Sequence, residues 1–405
     1  MPATEMLASK TEDLSQRAEE FLAPNYGSRN LVFEGGEGPW LYTPEGEKYL
    51  DFLGGIAVCC LGHCHPRVTE AIKHQAGTLL HTSNFFITEP QTQLAKLLVE
   101  NSFAEKVFFC NSGGEANEAA LKLAKKVAQD KGEADRYEVI SLQDSFHGRT
   151  IATLSATGQP KLHEGFKPLL PGFTYIPMND VQAVTEAVTE RTCAVIVEPI
   201  QGEAGVVPVA EEYLRLLRDL CTEHGALLIV DEIQCGMGRT GRLFAYEHSG
   251  IEPDIVTLAK GLANGLPIGA VLAKSEIMEH LSPGSHGSTF GGNPVACAAA
   301  HATLSTLLDE NFISRVEMLS NHLFGELKVL KADFPKKILE IRGRGLMIGI
   351  DIEGAKTVYE KLLERKVIAN CIREKTIRLL PPYVIEKSEI DLFISELREI
   401  LDEAG

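Results

Sequence analysis

Between residues 106 and 274 the chain places apolar runs of strand length at KVFFCNS (106 to 112), YEVISLQ (137 to 143), CAVIVEPI (193 to 200), ALLIVDEI (226 to 233), DIVTLAKG (254 to 261) and IGAVLAK (268 to 274). Apolar runs without alternation fit strands that are covered on both faces. Helical patterns lie between them: EANEAALKLAKKVAQD after the first run, VQAVTEAVTE before the third and EEYLRLLRDLCTEHG before the fourth. Strands alternating with helices predict an α/β fold with a mostly parallel central sheet.

Past GGNPVACAAAHATLSTLLDE the texture changes to charged helices and shorter strands, in RGRGLMIGIDI, TVYEKLLERKV, TIRLLPP and EIDLFISELREILDE. The last of these has an apolar stripe at helical spacing and reads as a docked surface helix. Because one core rarely grows past roughly 250 to 300 residues, two domains are expected. Residues 61–294 then form the large domain, residues 295–405 a smaller α+β domain, and residues 1–60 pack with the small one. The Gly, Ser and Pro content of 275 to 294, which includes SPGSHGSTFGGNP, predicts a loop.

Composition narrows the partners. Of the 405 residues, 39 are Lys or Arg and 56 are Asp or Glu, a formal charge of -17. That excess repels phosphate backbones and anionic membranes, so neither nucleic acid nor membrane is expected as a partner. The nine cysteines (59, 60, 64, 110, 193, 221, 235, 297, 371) are odd in number and irregular in spacing, and several sit in apolar runs. They read as reduced, buried side chains of a cytoplasmic protein. Adjacent Cys59 and Cys60 are too close for an ordinary disulfide. MPATEMLASKTEDLSQRAEE carries acidic residues and no long apolar stretch, which fits the same cytoplasmic location.

Ligands of open α/β sheets sit at the carboxyl ends of the strands, where Asp231, Gln234 and Lys260 fall. An acid there can pair with a protonated ring nitrogen, an amide can hydrogen-bond a ring oxygen, and a desolvated lysine can bond an aldehyde. Pyridoxal phosphate needs this set. Taken singly, an Asp at a strand end also caps turns, and Lys-Gly after a strand is also a solvated loop. In CNSGGEANEAALKLAKK a strand gives way to a helix, so the amides of Gly113 and Gly114 can meet a phosphate. The stretch is neither GxGxxG nor GxxxxGK[ST], which argues against a dinucleotide fold or a P-loop. In DSFHGRT, Phe146 can stack on a flat ring and Arg149 can clamp a carboxylate; a core Phe and a surface Arg are the alternative. LGHCHP offers His63, Cys64 and His65, but neighbouring strand residues face opposite ways and no second ligand pair follows at zinc spacing, so no metal is expected.

The motifs GGIAVCCLGHCHP, HTSNFF, NSGGEANE, SFHGRT, VEPIQGEAGV, VDEIQCGMGRTG, TLAKGL, GSHGSTFGGNP, IRGRGLMIGI and IRLLPP span about residues 25 to 382. In their order and spacing they resemble the class III aminotransferases of pyridoxal-phosphate fold type I, and among these the acetylornithine subgroup. The resemblance implies that Lys260 bonds the cofactor, Asp231 partners its ring nitrogen, Gln234 neighbours the ring hydroxyl and Phe146 stacks on the ring. It implies phosphate contacts from Gly113 and Gly114, and from Thr289 of a second subunit, hence a homodimer with shared sites. Arg149 and Ser288 would meet substrate, as would Tyr26. Glu203 would gate Arg378, releasing it when glutamate or 2-oxoglutarate enters.

The implied reaction moves the side-chain amino group of N2-acetylornithine to 2-oxoglutarate, a step of arginine biosynthesis. Ornithine, 4-aminobutyrate and succinylornithine are rival donors, and a silent binding protein on the same fold is the rival of another class. Departures from the family pattern are Gly114 in place of a common Thr, LANGLP in place of a triple glycine, and, in CIREKTIRLLPPY around Arg378, charged residues in place of a small-residue turn. Ile56 stands where ornithine aminotransferases carry Tyr, which favours an acylated or longer donor.

Overall fold

The computed structural model describes residues 3–27, 31–309 and 311–403. In chain order its strands are β1 Gly35–Glu37, β2 Trp40–Tyr42, β3 Lys48–Asp51, β4 Lys106–Cys110, β5 Glu138–Leu142, β6 Phe173–Ile176, β7 Thr192–Val197, β8 Ile200–Gln201, β9 Val207–Pro208, β10 Leu227–Asp231, β11 Ile255–Leu258, β12 Gly269–Ala273, β13 Ile338–Arg344, β14 Met347–Ile352, β15 Val367–Ile368, β16 Asn370–Ile372 and β17 Thr376–Leu379. The central sheet runs β4-β12-β11-β10-β7-β5-β6. Pairs β11/β10, β10/β7, β7/β5 and β5/β6 are parallel, and β12 alone runs antiparallel to both neighbours.

Each apolar run supplies two buried faces, as the absence of alternation requires. Ala194, Ile196, Ile229, Ile255 and Val271 meet Ala116, Ala120, Leu123, Ala124 and Val127 of the helix Gly113–Asp130. The small alanines let that helix lie close to the sheet. Their neighbours in sequence, Val195, Val197, Leu228, Val230, Val256 and Leu258, belong to the opposite core with Leu214, Leu217 and Cys221 of the helix Glu211–His224.

Three segments differ from the sequence expectation. The run at 193 to 200 breaks after Val197, because Pro199 has no N–H for the ladder and Glu198 leaves the sheet. FTYI at 173 to 176 forms the edge strand β6; only half covered, it lacks the apolar run that marks the interior strands. The segment 275 to 294 is not all loop, since Ser275–Met278 makes a helical turn.

A second sheet, β13-β14-β17-β16, is antiparallel throughout. RGRGLMIGIDI is therefore a hairpin and not one strand. A third sheet joins both ends of the chain: β1, β2 and β3 pair in sequence, and β3 then pairs in parallel with β15 through Leu50↔Val367 and Asp51↔Ile368. Among the described residues no helix is long and apolar enough to cross a membrane.

The middle of β10 carries the core. Leu228 is fully buried between the sheet and the helix Glu211–His224, so Leu228→Ala is expected to cost about 2–5 kcal/mol of stability. Urea denaturation of the cofactor-free protein measures this, and a loss below about 1 kcal/mol would show that the site collapses without a cavity.

Candidate active site

The carboxyl ends of β4, β5, β7, β10 and β11 all open on one side of the central sheet, and each delivers a side chain or amide to one cavity of about 380 Å3. After β4 come Asn111, Ser112, Gly113 and Gly114; after β5, Phe146, His147 and Gly148; after β7, Glu198. β10 ends on Asp231, followed by Ile233 and Gln234, and β11 leads through Ala259 to Lys260. Val58 closes the cavity from the N-terminal segment, where Gly54, Gly55, Ile56 and Ala57 run consecutively at positive φ. Ile56 and Ala57 pay a backbone cost there that glycine does not, a kind of strain that collects at functional sites.

Asp231 is 3% exposed and its carboxylate is held by three donors. Oδ2 accepts from Asn117 Nδ2 at 2.7 Å and from His147 Nδ1 at 2.8 Å, and Oδ1 accepts from the Ile233 amide at 3.0 Å. Asn117 is fixed in turn, donating to the His147 carbonyl at 2.8 Å and accepting from Thr257 Oγ1 at 2.8 Å. With Nδ1 on Asp231, His147 keeps a buried Nε2 that meets no partner. Charge is buried at this depth only where such hydrogen bonds replace water.

Lys260 sits two residues past β11 at φ 46, a left-handed conformation that is unfavourable for a side chain. Burial pushes its amine below the ordinary lysine value; Glu203 opposes the shift, Arg378 adds to it, and Asp231 and Glu198 oppose it more weakly. A neutral amine facing the cavity is the nucleophilic form. Glu198 accepts from the Phe146 amide at 2.8 Å, and burial lifts its carboxyl to about 7 although His147 pulls it down.

Gln234 links the cavity to a buried ion pair. Arg378 Nη1 donates to Glu203 Oε1 at 2.5 Å and to Gln234 Oε1 at 3.3 Å, while Gln234 Nε2 reaches Glu203 Oε1 at 3.5 Å. Asn370 Oδ1 accepts from Arg378 Nη2 at 2.9 Å. Burial alone would raise the Glu203 carboxyl, but the charge and hydrogen bond of Arg378 outweigh it and hold it below the usual carboxylate value. Arg378 is 1% exposed, so its charge has little but these partners to balance it.

The residues present fit pyridoxal phosphate. Ser112 caps the helix Gly113–Asp130 by accepting from the Glu115 amide at 3.2 Å, which puts the first-turn amides of Gly113 and Gly114 at the cavity wall. A Cβ on Gly113 would lie 2.8 Å from Ile233 Cδ1, so only glycine lets the helix begin this close to β10. At Gly114 a Cβ would meet nothing nearer than Ser112 Oγ at 3.8 Å, so packing does not enforce that departure from the family pattern. Phe146 supplies a flat wall, Asp231 an acid and Lys260 an amine.

The other expected residues fall outside the lining. Arg149 is exposed at the rim, its guanidinium 5.4 Å from the Phe146 ring. Ser288 Oγ accepts from Asn111 Nδ2 at 3.1 Å and so reaches a residue of the cavity lining. Thr289 lies in a separate recess with His81, Asn84 and Phe290. Tyr26 is on an exposed turn, Pro24–Tyr26. His63 is occupied by Asp51, with Nε2 and Oδ2 2.8 Å apart, and the nine cysteines are all free thiols. Sequence reasoning missed Glu198, His147 and Asn117. The acid before Pro199 and the imidazole inside SFHGRT were visible signals, whereas Asn117 gave none on its helix.

The Glu198 carboxyl generates a pH prediction. Between about pH 4.5 and 7 the unfolded chain has released this proton and the folded chain keeps it, so stability falls as pH rises through that window. Glu198→Gln should remove this part of the slope, up to about 1.4 kcal/mol per pH unit, in urea titrations at about pH 5, 6 and 7. An unchanged slope would assign the pH dependence to other groups.

Known proteins are similar to this chain in sequence and in fold. The family described as "Aminotransferase class-III" matches residues 21–401. The acetylornithine aminotransferase of Methanocaldococcus jannaschii is 49% identical over 383 residues, which cover 93% of this chain and 95% of that protein. The ornithine aminotransferase from Toxoplasma gondii ME49 superposes with a TM-score of 0.94 at 36% identity, over 97% of this chain and 95% of that one. The N-acetylornithine aminotransferase from Stenotrophomonas maltophilia K279a gives a TM-score of 0.82 at 36% identity, over 94% and 98%. With a lysine and a buried acid facing one cavity at the strand ends, and with this family match across its length, the chain belongs to the class III aminotransferases, enzymes that work with pyridoxal phosphate.

Proposed function

We propose that this chain moves the side-chain amino group of N2-acetylornithine to 2-oxoglutarate, giving N-acetylglutamate 5-semialdehyde and glutamate as a step of arginine biosynthesis. The observation that carries the reaction is that the Lys260 amine, which desolvation pushes below the ordinary lysine value, shares one cavity with the Asp231 carboxylate. The donor rests on the relative from M. jannaschii, and Ile56 in place of Tyr agrees with it.

Pyridoxal phosphate, when bound, supplies an aldehyde that takes up the amine and a protonated ring that spreads the electron pair left on the donor carbon. Asp231 would face the ring nitrogen and favour its protonated form, its carboxylate fixed by His147 and Asn117. Gln234 would hold the ring hydroxyl, Phe146 the ring face, and the Gly113 and Gly114 amides the phosphate. Lys260 Nζ would take up the proton that the donor carbon releases, as general base. Glu203 covers Arg378 while the donor is bound and yields it to the second carboxylate of 2-oxoglutarate. Arg149 and Ser288 bind substrate from the rim, and Tyr26 contacts it from the N-terminal turn. The chain divides as residues 61–294 for the large domain, 295–405 for the small one, and 1–60 packed with the latter; β3 pairing with β15 supports that packing.

The active form is a cytoplasmic homodimer in which Thr289 reaches the phosphate of the other subunit. An apolar surface around Thr289 supports this: Leu80 is 59% exposed, Phe85 92%, Phe86 64%, Ile87 86% and Phe290 58%. Apolar side chains exposed together in this way mark an interface.

With 2-oxoglutarate as acceptor, kcat/KM over a panel of N-acetylornithine, ornithine, succinylornithine and 4-aminobutyrate should be highest for N-acetylornithine; a preference for free ornithine or 4-aminobutyrate would overturn the donor. Activity should also return when Lys260→Ala and Thr289→Asp proteins, each inactive, are unfolded and refolded together, because a mixed dimer holds one intact site. No recovery would contradict the shared site.

A further inference from the structure

The pair Glu203–Arg378 sits on a frame that ties its two halves together. Glu203 lies in the tip, residues 202–206, of the short hairpin β8–β9, which closes through Gln201↔Val207. Arg378 lies on β17. Across the small sheet, Arg342 on β13 stands opposite Gly349 on β14, Gly349 opposite Arg378, and Arg378 opposite Asn370 on β16. Residues facing each other across antiparallel strands share one face, so this row floors the ion pair. Asp351 and Thr376, also opposite each other and two residues along, lie on that face.

The hairpin tip is seated on this face by close backbone packing. A Cβ on Gly349 would come within 2.6 Å of the Gly205 carbonyl oxygen, and a Cβ on Gly205 within 2.9 Å of both Arg342 Nη2 and Thr376 Oγ1. Arg342 then fastens the tip: Nε donates to the Gly205 carbonyl at 2.9 Å, while Nη2 donates to Asp351 Oδ1 at 2.8 Å and to Thr376 Oγ1 at 3.1 Å. Thr376 Oγ1 donates to Asp351 Oδ1 at 2.6 Å, Lys375 Nζ holds Asp351 Oδ2 at 2.7 Å, and Arg342 Nη1 donates to Glu340 at 3.0 Å. Asp351 is 2% exposed, and although burial opposes it, the bonds from Arg342, Lys375 and Thr376 hold its carboxyl down at about 2. One guanidinium thus bonds the loop two residues beyond Glu203 and the strand two residues before Arg378.

We infer that Arg342, anchored by Asp351 and Thr376 on the Gly349 floor, is a positioning residue that clamps the Glu203 hairpin onto the small sheet and sets how readily a dicarboxylate displaces Glu203 from Arg378. Arg342 touches no substrate in this account and acts through the loop. The inference rests on reading Glu203 as the gate of Arg378. A free tip holds Glu203 less firmly, so the carboxylate of an incoming ligand competes better, while the donor loses the cover that Glu203 gives it.

The test compares Arg342→Gln, Gly349→Ala and Glu203→Gln holoenzymes with the parent. Gly349→Ala pushes the tip away without changing any charge, and Thr376→Val, which removes the bridging hydroxyl, takes the place of Arg342→Gln should that variant not fold. Calorimetric binding of glutarate, a dicarboxylate that cannot react, is read together with kcat/KM of the donor and acceptor half-reactions. The clamp predicts glutarate binding tighter by about fivefold and a donor half-reaction weakened by at least as much relative to the acceptor one, in Arg342→Gln and Gly349→Ala alike. If Glu203→Gln produces this split and the two clamp variants do not, or if they lower both half-reactions equally, the clamp is wrong and the gate stands. If Glu203→Gln itself produces no split, the gate reading fails and takes the clamp with it.

Discussion

A carboxylate buried at the end of a central strand is the constraint around which this molecule is arranged. Asp231 is withdrawn from water, and three hydrogen bonds replace the solvent it lost. Those donors come from three parts of the chain: the helix after β4, the turn after β5 and the turn after β10 itself. Removing one partner of a buried charge costs more than the net worth of its bond, so each of these elements is committed to its place by the same acid. The parallel order of β11, β10, β7 and β5 brings their carboxyl ends together and makes such a network possible.

Electrostatics then separates the roles. Lys260 is held in an unfavourable backbone conformation in a largely desolvated place, which disfavours its charge, while Arg378, the less exposed of the two, has the Glu203 carboxylate beside it. The Arg378 charge pushes the Lys260 amine further down, and Gln234, a neutral neighbour, hydrogen-bonds both Arg378 and Glu203. Glu203 lessens the shift at Lys260 and is itself held down by Arg378, so these groups form one coupled set. A ligand carboxylate that takes Arg378 from Glu203 therefore changes the field at the lysine as well.

Much of this was legible in the sequence because strands buried on both faces need continuous apolar runs, and such runs stop abruptly at the residues that face the ligand. Asp231, Gln234 and Lys260 were found in this way, as were Gly113 and Gly114 at a strand-to-helix turn. Glu198 was hidden inside VIVEPI, where an acid in an apolar run looks like part of the strand until Pro199 breaks it. Asn117 was invisible because a polar residue on an amphipathic helix normally faces water, and only the fold turns it toward Asp231. The row Arg342–Gly349–Arg378 depends on register across three strands, which no single stretch of sequence encodes. Thr289 lies in a recess away from the cavity of its own chain, so the role proposed for it requires a second subunit.

The account depends most on the pairing of Asp231 with the cofactor ring, and the single-turnover rate of Asp231→Asn with N-acetylornithine tests it most directly. The amide keeps the shape but not the charge, so the protein should still take up pyridoxal phosphate while amino transfer in one turnover slows by roughly a hundredfold or more. A rate within about threefold of the parent, at full cofactor occupancy, would mean that another group partners the ring and that the site is wrongly built around this acid.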